Sequence, residues 1–461
     1  MKQSITKYNC TYDAISPLDG RYARETSGVR KYFTEYKLCK ERLTVEIFYL
    51  IEFLPVIGNP ITEDITLKLM SIIKSFTKDE FHKVKQIEAT IHHDIKAIEI
   101  YLQDRFRTLN LDSLIPWIHY GLTSQDIQNT AFPILLRNYI NQEYKSLLTT
   151  LMEQLRHQIR TFTDVIMVSH THGQPAIPTT YSKEFSVYVY RLSVEENRLR
   201  HYKFYGKFGG ANGSLSAHQE TFPKISWIDF VEDFYKKLGL NRSILTTQIN
   251  NYERMGELFD IFRRINTILI DLCIDIWLYI SKRYISQIVH KKEVGSSTMP
   301  HKVNPIHFEK AEGNLLIANS LLECFSRNLP VSRLQRDLTD STICRNIGVA
   351  LGHTEIAYRS ICKGLERIAP NREVIHQELH SNRQILSEGI QTWLRKWGYS
   401  QAYDIVKEYT RQTESVEVKW PEFYTILETT YDIHLTPEQQ QQLEGLSVET
   451  YLGTSDYSNT E

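Results

Sequence analysis

The chain has 461 residues, with 54 Lys and Arg against 55 Asp and Glu. That length exceeds one small core, so two or three domains are expected, and the balanced charge gives no electrostatic reason to expect nucleic-acid binding. Six cysteines (Cys10, Cys39, Cys273, Cys324, Cys344 and Cys362) are scattered with no Cys-x-x-Cys pair, which argues against a zinc site or a disulfide framework and fits a reducing cytoplasm.

The first residues carry no long apolar run and no small-residue cleavage site, so no secretion signal is expected. Residues 1–112 read as short helical segments and loops, with Pro55, Gly58 and Pro60 marking a turn. From 113 to 367 long helical patterns dominate and strand-like alternation is scarce. Helices are predicted over 183–205, 256–280, 308–328 and 342–367. Within 256–280, Leu258, Ile261, Phe262, Ile265, Leu269, Leu272 and Ile276 recur at three- and four-residue steps, while Ile270, Ile274 and Trp277 fill the other faces. A helix apolar nearly all round is expected to be buried among other helices. Its most apolar stretch, Ile265 to Ile280, is interrupted by Asp271 and Asp275 and makes a poor membrane span. Several long helices with few strands predict an all-α bundle. Pro370 and Asn371 punctuate the next boundary, and 368–461 reads as a smaller helical domain. In it Gln439 to Gln442 form an exposed helix face or turn, and Ser455 to Glu461 fray.

The stretch Gly295-Ser296-Ser297-Thr298-Met299-Pro300-His301-Lys302-Val303-Asn304-Pro305 combines small residues, hydroxyls and two prolines. On composition it reads equally as a surface turn between helices or as a functional loop. It resembles the signature loop of the fumarase/aspartase superfamily. With Phe308-Glu309 and Glu312-Gly313-Asn314-Leu315 behind it, it is similar to the adenylosuccinate lyase branch, bacterial type. The resemblance continues in order through Ser16-Pro17-Leu18-Asp19-Gly20-Arg21-Tyr22, His93-Asp94-Ile95-Lys96-Ala97-Ile98-Glu99, Thr123-Ser124-Gln125-Asp126-Ile127, Thr171-His172-Gly173-Gln174-Pro175-Ala176, Thr246-Thr247-Gln248 and Arg336-Asp337-Leu338-Thr339-Asp340-Ser341.

The resemblance implies an all-α protomer of three domains, 1–112, 113–367 and 368–461, with a long central helix bundle. It implies a cytoplasmic homotetramer whose active sites draw on three protomers. The implied reaction eliminates fumarate from adenylosuccinate, leaving AMP, and from succinyl-aminoimidazole carboxamide ribotide, leaving the carboxamide ribotide. No metal or organic cofactor is implied, and the partners are small molecules, not nucleic acid or membrane.

Such an elimination removes a weakly acidic proton beside a carboxylate and passes through a carboxylate carrying extra negative charge. Fixed cations and donors must meet that charge. By resemblance Lys302 and Asn304 do so, and Ser296 is the base, its ionised form sustained by neighbouring cations and N–H groups. His172 is the general acid, since imidazole titrates near neutrality, and Glu309 orients it. Ser297, Thr123, Ser124, Thr171 and Gln248 are expected around the succinyl group. Arg21, Tyr22, Arg336, Ser341 and Arg345 are expected at the phosphate, which guanidinium forks match in a bidentate way. His93, with Asp94 beside it, is expected near the leaving group and phosphate, where it assists the acid.

Three positions depart from the family pattern. His92 and Lys310 stand where relatives commonly carry Asn, both expected near the nucleotide, and His170 replaces an Arg. The run Gly209-Gly210-Ala211-Asn212-Gly213-Ser214 lacks the spacing of a P-loop or dinucleotide site and reads as a tight turn between helices that lets backbone approach the site. Alternative readings are another superfamily lyase, acting on argininosuccinate, aspartate or malate, and a non-catalytic protein on the same scaffold. The arginine set argues against the first, and the retained His172, Ser296, Lys302, Asn304 and Glu309 against the second.

Overall fold

The computed structural model describes residues 14–288, 299, 301–412 and 418–454. Ser296 and Ser297 of the signature loop lie outside the described residues, as do Ser455 to Glu461 and the extreme N-terminus. Helix α1 (Glu35–Val56) starts at Thr34, whose hydroxyl accepts the N–H of Lys37. Helices α2 (Glu63–Ser75) and α3 (Lys78–Ile91) start in the same way at Thr62 and Thr77. Each threonine satisfies an N–H that the first helical turn leaves unpaired. Pro55 lies inside the last turn of α1 rather than in the turn that follows, which falls at Ile57 and Gly58 (φ +81°).

Two residues separate α3 from α4 (Asp94–Thr108). His92 closes α3 in the left-handed region, and His93 caps α4 by accepting the N–H of Lys96 on Nδ1 at 3.1 Å. Helix α5 (Ser124–Tyr139) opens with a capping box made by Thr123 and Asp126. A π turn over Ile140–Tyr144 joins it to α6 (Lys145–Thr161). Strands β1 (Ile166–Thr171) and β2 (Gln174–Thr180) then form an antiparallel hairpin. After it come α7 (Tyr181–His201), β3 (Tyr205–Gly206), α8 (Ser216–Thr221), α9 (Trp227–Lys237), and β4 (Asn241–Arg242) parallel to β3. The long α10 (Glu253–Ser281) leads to β5 (Ile285–Gln287), α11 (Ile306–Asn328), α12 (Thr339–Cys344), α13 (Ile347–Leu365) and β6 (Ile368–Pro370), antiparallel to β5. The chain continues through α14 (Arg372–Ser381), α15 (Ser387–Lys396), α16 (Ala402–Gln412), α17 (Trp420–Tyr431) and α18 (Pro437–Glu444), where Gln439 to Gln442 lie.

The fold is all-α, with three two-stranded ribbons among the described residues. The predicted helices appear, with two differences. The segment 342–367 is divided at Arg345-Asn346 into α12 and α13. Helix α10 is not buried all round: Ile274, Trp277 and Leu278 are more than 40 % exposed. The three- and four-residue rhythm fixes one buried face, and the extra apolar residues stand on another that stays exposed among the described residues.

The chain divides into two compact units. The first comprises Met1–Thr149, Glu195–Ile270 and Ala311–Arg359. Its core gathers α1, α3, α4, α5 and α9 around Tyr49, Phe53, Phe106, Trp227, Val231 and Phe234. The second comprises Thr150–Val194, Asp271–Lys310 and Ser360–Glu461. One of its clusters joins α15, α16 and α17 through Ile390, Leu394, Ile405 and Phe423. Another seats β1 against α14 through Val168, Leu379, Ile385 and Leu386. Among the described residues, no helix is long and apolar enough to cross a membrane.

Candidate active site

Seven of the predicted residues converge in the first unit. A cleft of about 310 Å³ is lined by His92, His93, Asp94, Ser124, Arg336, Ser341 and Arg345. Chain order scatters them over three segments, and the α3–α4 junction, the N-terminus of α5 and the stretch around α12 bring them together. His92 sits at φ +56°, a region that asparagine and histidine tolerate better than most side chains. The Asn-to-His departure thus falls on a backbone-capping position.

Asp94 is held from two sides. Its Oδ2 accepts from Arg42 Nη1 at 2.9 Å and from Arg345 Nη2 at 2.7 Å, while Oδ1 accepts the N–H of Ile95. Burial alone would raise this carboxyl, but the two guanidinium groups overturn that and hold it below the usual carboxylate range. Arg345 spends one donor here, and the guanidinium carries five, so among the described residues the rest of the fork is left to meet an anion. Arg42, buried and also donating to Gln128, was not singled out in the sequence, because a lone arginine inside an apolar helix carries no motif.

The other predicted residues of this unit lie off the cleft wall. Gln248 accepts from Arg336 Nη1 at 3.2 Å, and so touches a residue that lines it. Thr123 precedes Ser124 as the N-cap of α5. Arg21 is exposed, its guanidinium 5.9 Å from the centre of the Tyr22 ring. The glycine run 209–213 is the predicted tight turn, but it joins β3 to α8 rather than two helices. A larger cavity in the same unit, about 730 Å³ near the end of α7 and the start of α10, contains none of the predicted residues. Of the charges that line it, Arg254 pairs with Glu257, and Arg264 pairs with Glu195 nearby.

The second unit carries Thr171, His172, Lys302, Asn304, Glu309 and Lys310. Thr171 and His172 occupy the tip of the β1–β2 hairpin, which sequence reading missed. Thr171 pairs with Gln174, and His172 and Gly173 both have positive φ, +54° and +72°. That is the backbone of a two-residue hairpin turn matching strand twist, and it leaves the His172 ring exposed. A short apolar run ending in X-Gly was the available signal. His170 lies 3.2 Å from Glu378 of α14 through Nε2, tying the hairpin to its neighbour. Lys302 is exposed and Asn304 half-buried just before α11. Glu309, in the first turn of α11, accepts from Trp277 Nε1 at 3.1 Å, and Lys310 is half-buried on the same helix. Among the described residues, no group of three or more His, Cys, Asp or Glu side chains is placed to hold a metal ion.

Known proteins share this architecture. A family model described as lyase matches residues 20–317. A fumarate lyase from Mesorhizobium sp. BNC1 superposes with a TM-score of 0.74 at 17 % identity, covering 93 % of this chain and 95 % of that one. The 3-carboxy-cis,cis-muconate lactonizing enzyme from Pseudomonas putida gives 0.73 at 19 %, covering 93 % and 94 %. The family model and the fold define a lyase with the fumarase/aspartase fold. A second family model, adenylosuccinate lyase C-terminal, matches residues 332–452. Adenylosuccinate lyase from Dictyostelium discoideum is 42 % identical over 95 % of this chain and 96 % of its own, and that from Escherichia coli K12 is 38 % identical over 86 % and 88 %. The chain belongs to the adenylosuccinate lyase family.

Proposed function

We infer that the protein catalyses the adenylosuccinate lyase reaction, eliminating fumarate from adenylosuccinate and from succinyl-aminoimidazole carboxamide ribotide. It is a carbon–nitrogen lyase. The observation that carries the substrate assignment is the cleft where Arg336 and Arg345 stand beside His92 and His93. A phosphate-bearing substrate needs such a cluster on a chain of balanced charge, whereas argininosuccinate, aspartate and malate have no phosphate to hold.

In this reading Arg336, Ser341 and Arg345, with Arg21 and Tyr22, hold the phosphate, and His93 and Asp94 lie near the leaving group. His92 and Lys310 border the nucleotide. Thr123, Ser124, Thr171, Gln248 and Ser297 surround the succinyl part. Ser296 removes the proton next to the carboxylate. Lys302 and Asn304 stabilise the charge that develops, by a fixed cation and an amide donor. His172 then gives a proton to the departing nitrogen, with Glu309 as its orienting carboxylate. Exposure of His172 at the hairpin tip supports that role, since an acid must reach its substrate.

The reading includes a cytoplasmic homotetramer with active sites built from several protomers. Apolar residues left exposed on the long helices support it: Val187 and Tyr190 on α7, Ile274 and Trp277 on α10, Leu316 and Ile317 on α11. It also keeps the three-domain division, supported at the second boundary, where 367 falls between α13 and β6.

The test mixes purified protein with adenylosuccinate, follows the ultraviolet change and assays fumarate. Stoichiometric AMP and fumarate are expected. A folded tetramer that releases neither overturns the assignment. Ser296→Ala and His172→Ala are each expected to lower turnover on the order of 10²–10⁴-fold with the oligomer intact.

A further inference from the structure

We propose that the buried Asp126–Lys207 pair is a positioning device for the anion cleft, fixing two residues that line it, Ser124 and Arg336, through a single carboxylate. The inference rests on the adenylosuccinate lyase reading for its substrate, and on geometry for everything else.

Asp126 and Lys207 are both fully buried, 0 % exposed. Asp126 Oδ1 accepts from Lys207 Nζ at 2.7 Å and from the N–H of Gly209 at 2.8 Å. Its Oδ2 accepts the N–H of Thr123 at 2.8 Å and that of Gly210 at 3.1 Å. Lys207 Nζ also donates to the Gly210 carbonyl at 2.9 Å. A buried charge is tolerated where it is paired and its remaining lone pairs are filled, and this carboxylate meets both conditions.

The bonds run in two directions. Toward Thr123 they close the cap of α5 and so set where Ser124 stands. Toward Gly209 and Gly210 they pin the glycine turn. From that turn Ala211 offers its carbonyl to Gln248 Nε2 at 2.8 Å, and Gln248 Oε1 receives Arg336 Nη1 at 3.2 Å. A second link runs alongside. Gly213, at φ +86°, lies so close to the next segment that a Cβ there would stand 2.2 Å from the Thr246 carbonyl oxygen. The glycine turn is thus locked against residues 246–248 as well as onto Asp126. An ordinary structural ion pair need not connect to a site at all; this one sits where hydrogen-bond chains to two residues that line the cleft, Ser124 and Arg336, meet.

The prediction concerns binding geometry. Asp126→Asn keeps the shape but replaces one acceptor oxygen with a donor, releasing either the Thr123 or the glycine end. Because Ser124 and Arg336 hold substrate in both ground and transition states, the KM for adenylosuccinate is expected to rise on the order of 10- to 100-fold, with kcat changing much less. The affinity for inorganic phosphate, read by calorimetric titration, is expected to fall in parallel. Should the single variant fail to fold, Asp126→Asn combined with Lys207→Met removes both charges, leaves neither uncompensated, and takes the same measurements.

A folded variant with a lower melting temperature but unchanged KM and phosphate affinity overturns the proposal, for the pair would then be structural only. If the parent binds phosphate but does not turn over adenylosuccinate, the functional reading fails, and the phosphate affinity of the variant still decides this one. A parent that binds no phosphate and turns nothing over removes both.

Discussion

The loop leading into α5 contains a charge pair whose effect on stability reverses the usual alkaline behaviour of a surface histidine. His119 (φ +57°) places Nδ1 2.6 Å from Glu46 Oε1, with the two side chains 13 % and 1 % exposed. Burial by itself would lower this imidazole, but the Glu46 carboxylate, by attraction and by hydrogen bond, overrides that and raises it from 6.5 to about 9. A group raised on folding stabilises the protein fully below its unfolded value and loses that contribution as pH climbs through the folded one. The window is therefore 6.5 to about 9, and at about 1.36 kcal/mol per pH unit the contribution is roughly 3 kcal/mol. Glu46→Gln keeps an acceptor for the ring and removes the charge. Denaturant titrations of parent and variant at about pH 6 and about pH 10 should show the parent's advantage shrinking by roughly 3 kcal/mol, because all other titrations cancel in the difference. A difference that stays constant across that range refutes the argument.

His218 should act in the opposite direction: buried against Tyr49, it is lowered to about 4 by desolvation, so stability falls as pH drops from 6.5 toward that value, and a His218→Gln variant should show a flatter acid limb in the same titration. Arg345→Ala should mainly raise the KM for adenylosuccinate, read from steady-state rates, and an unchanged constant would remove it from the phosphate site. Glu309→Gln should lower turnover on the order of tenfold or more if the carboxylate orients His172; unchanged turnover would leave it as the acceptor for Trp277 alone. Gly213→Ala should destabilise the fold by about 1–3 kcal/mol or more in thermal unfolding, because the new Cβ meets backbone and positive φ together.

What the sequence made legible was local or motif-borne. The periodicity of Leu258 to Ile276 placed α10 within a few residues of its observed ends, because burial on one face follows a 3.6-residue rhythm. It could not show which apolar face of the same helix stays uncovered, since that depends on what packs there. Arg336, Ser341 and Arg345 were marked by resemblance, and they do share a cleft. Arg42 and Lys207 stayed invisible because their meaning comes from partners far away in sequence: Asp94 for one and Asp126 for the other. Asp126 was half legible, since Thr-x-x-Asp before an apolar run is a helix-start signature; its bonds to Gly209 and Gly210 were not. The hairpin escaped because its strands are short and β2 contains Pro175 and Pro178, which read against a strand.

The cap at the start of α4 also decides something about chemistry. His93 accepts a backbone N–H on Nδ1, so that nitrogen carries no hydrogen and a neutral ring must bear its own on Nε2. The backbone has thereby selected one tautomer before any ligand arrives. The nitrogen left over can only give a hydrogen bond, which suits the oxygens of a phosphate or carboxylate and offers nothing to an N–H group. A helix start, usually counted only as a contribution to stability, here also sets the polarity of a binding contact.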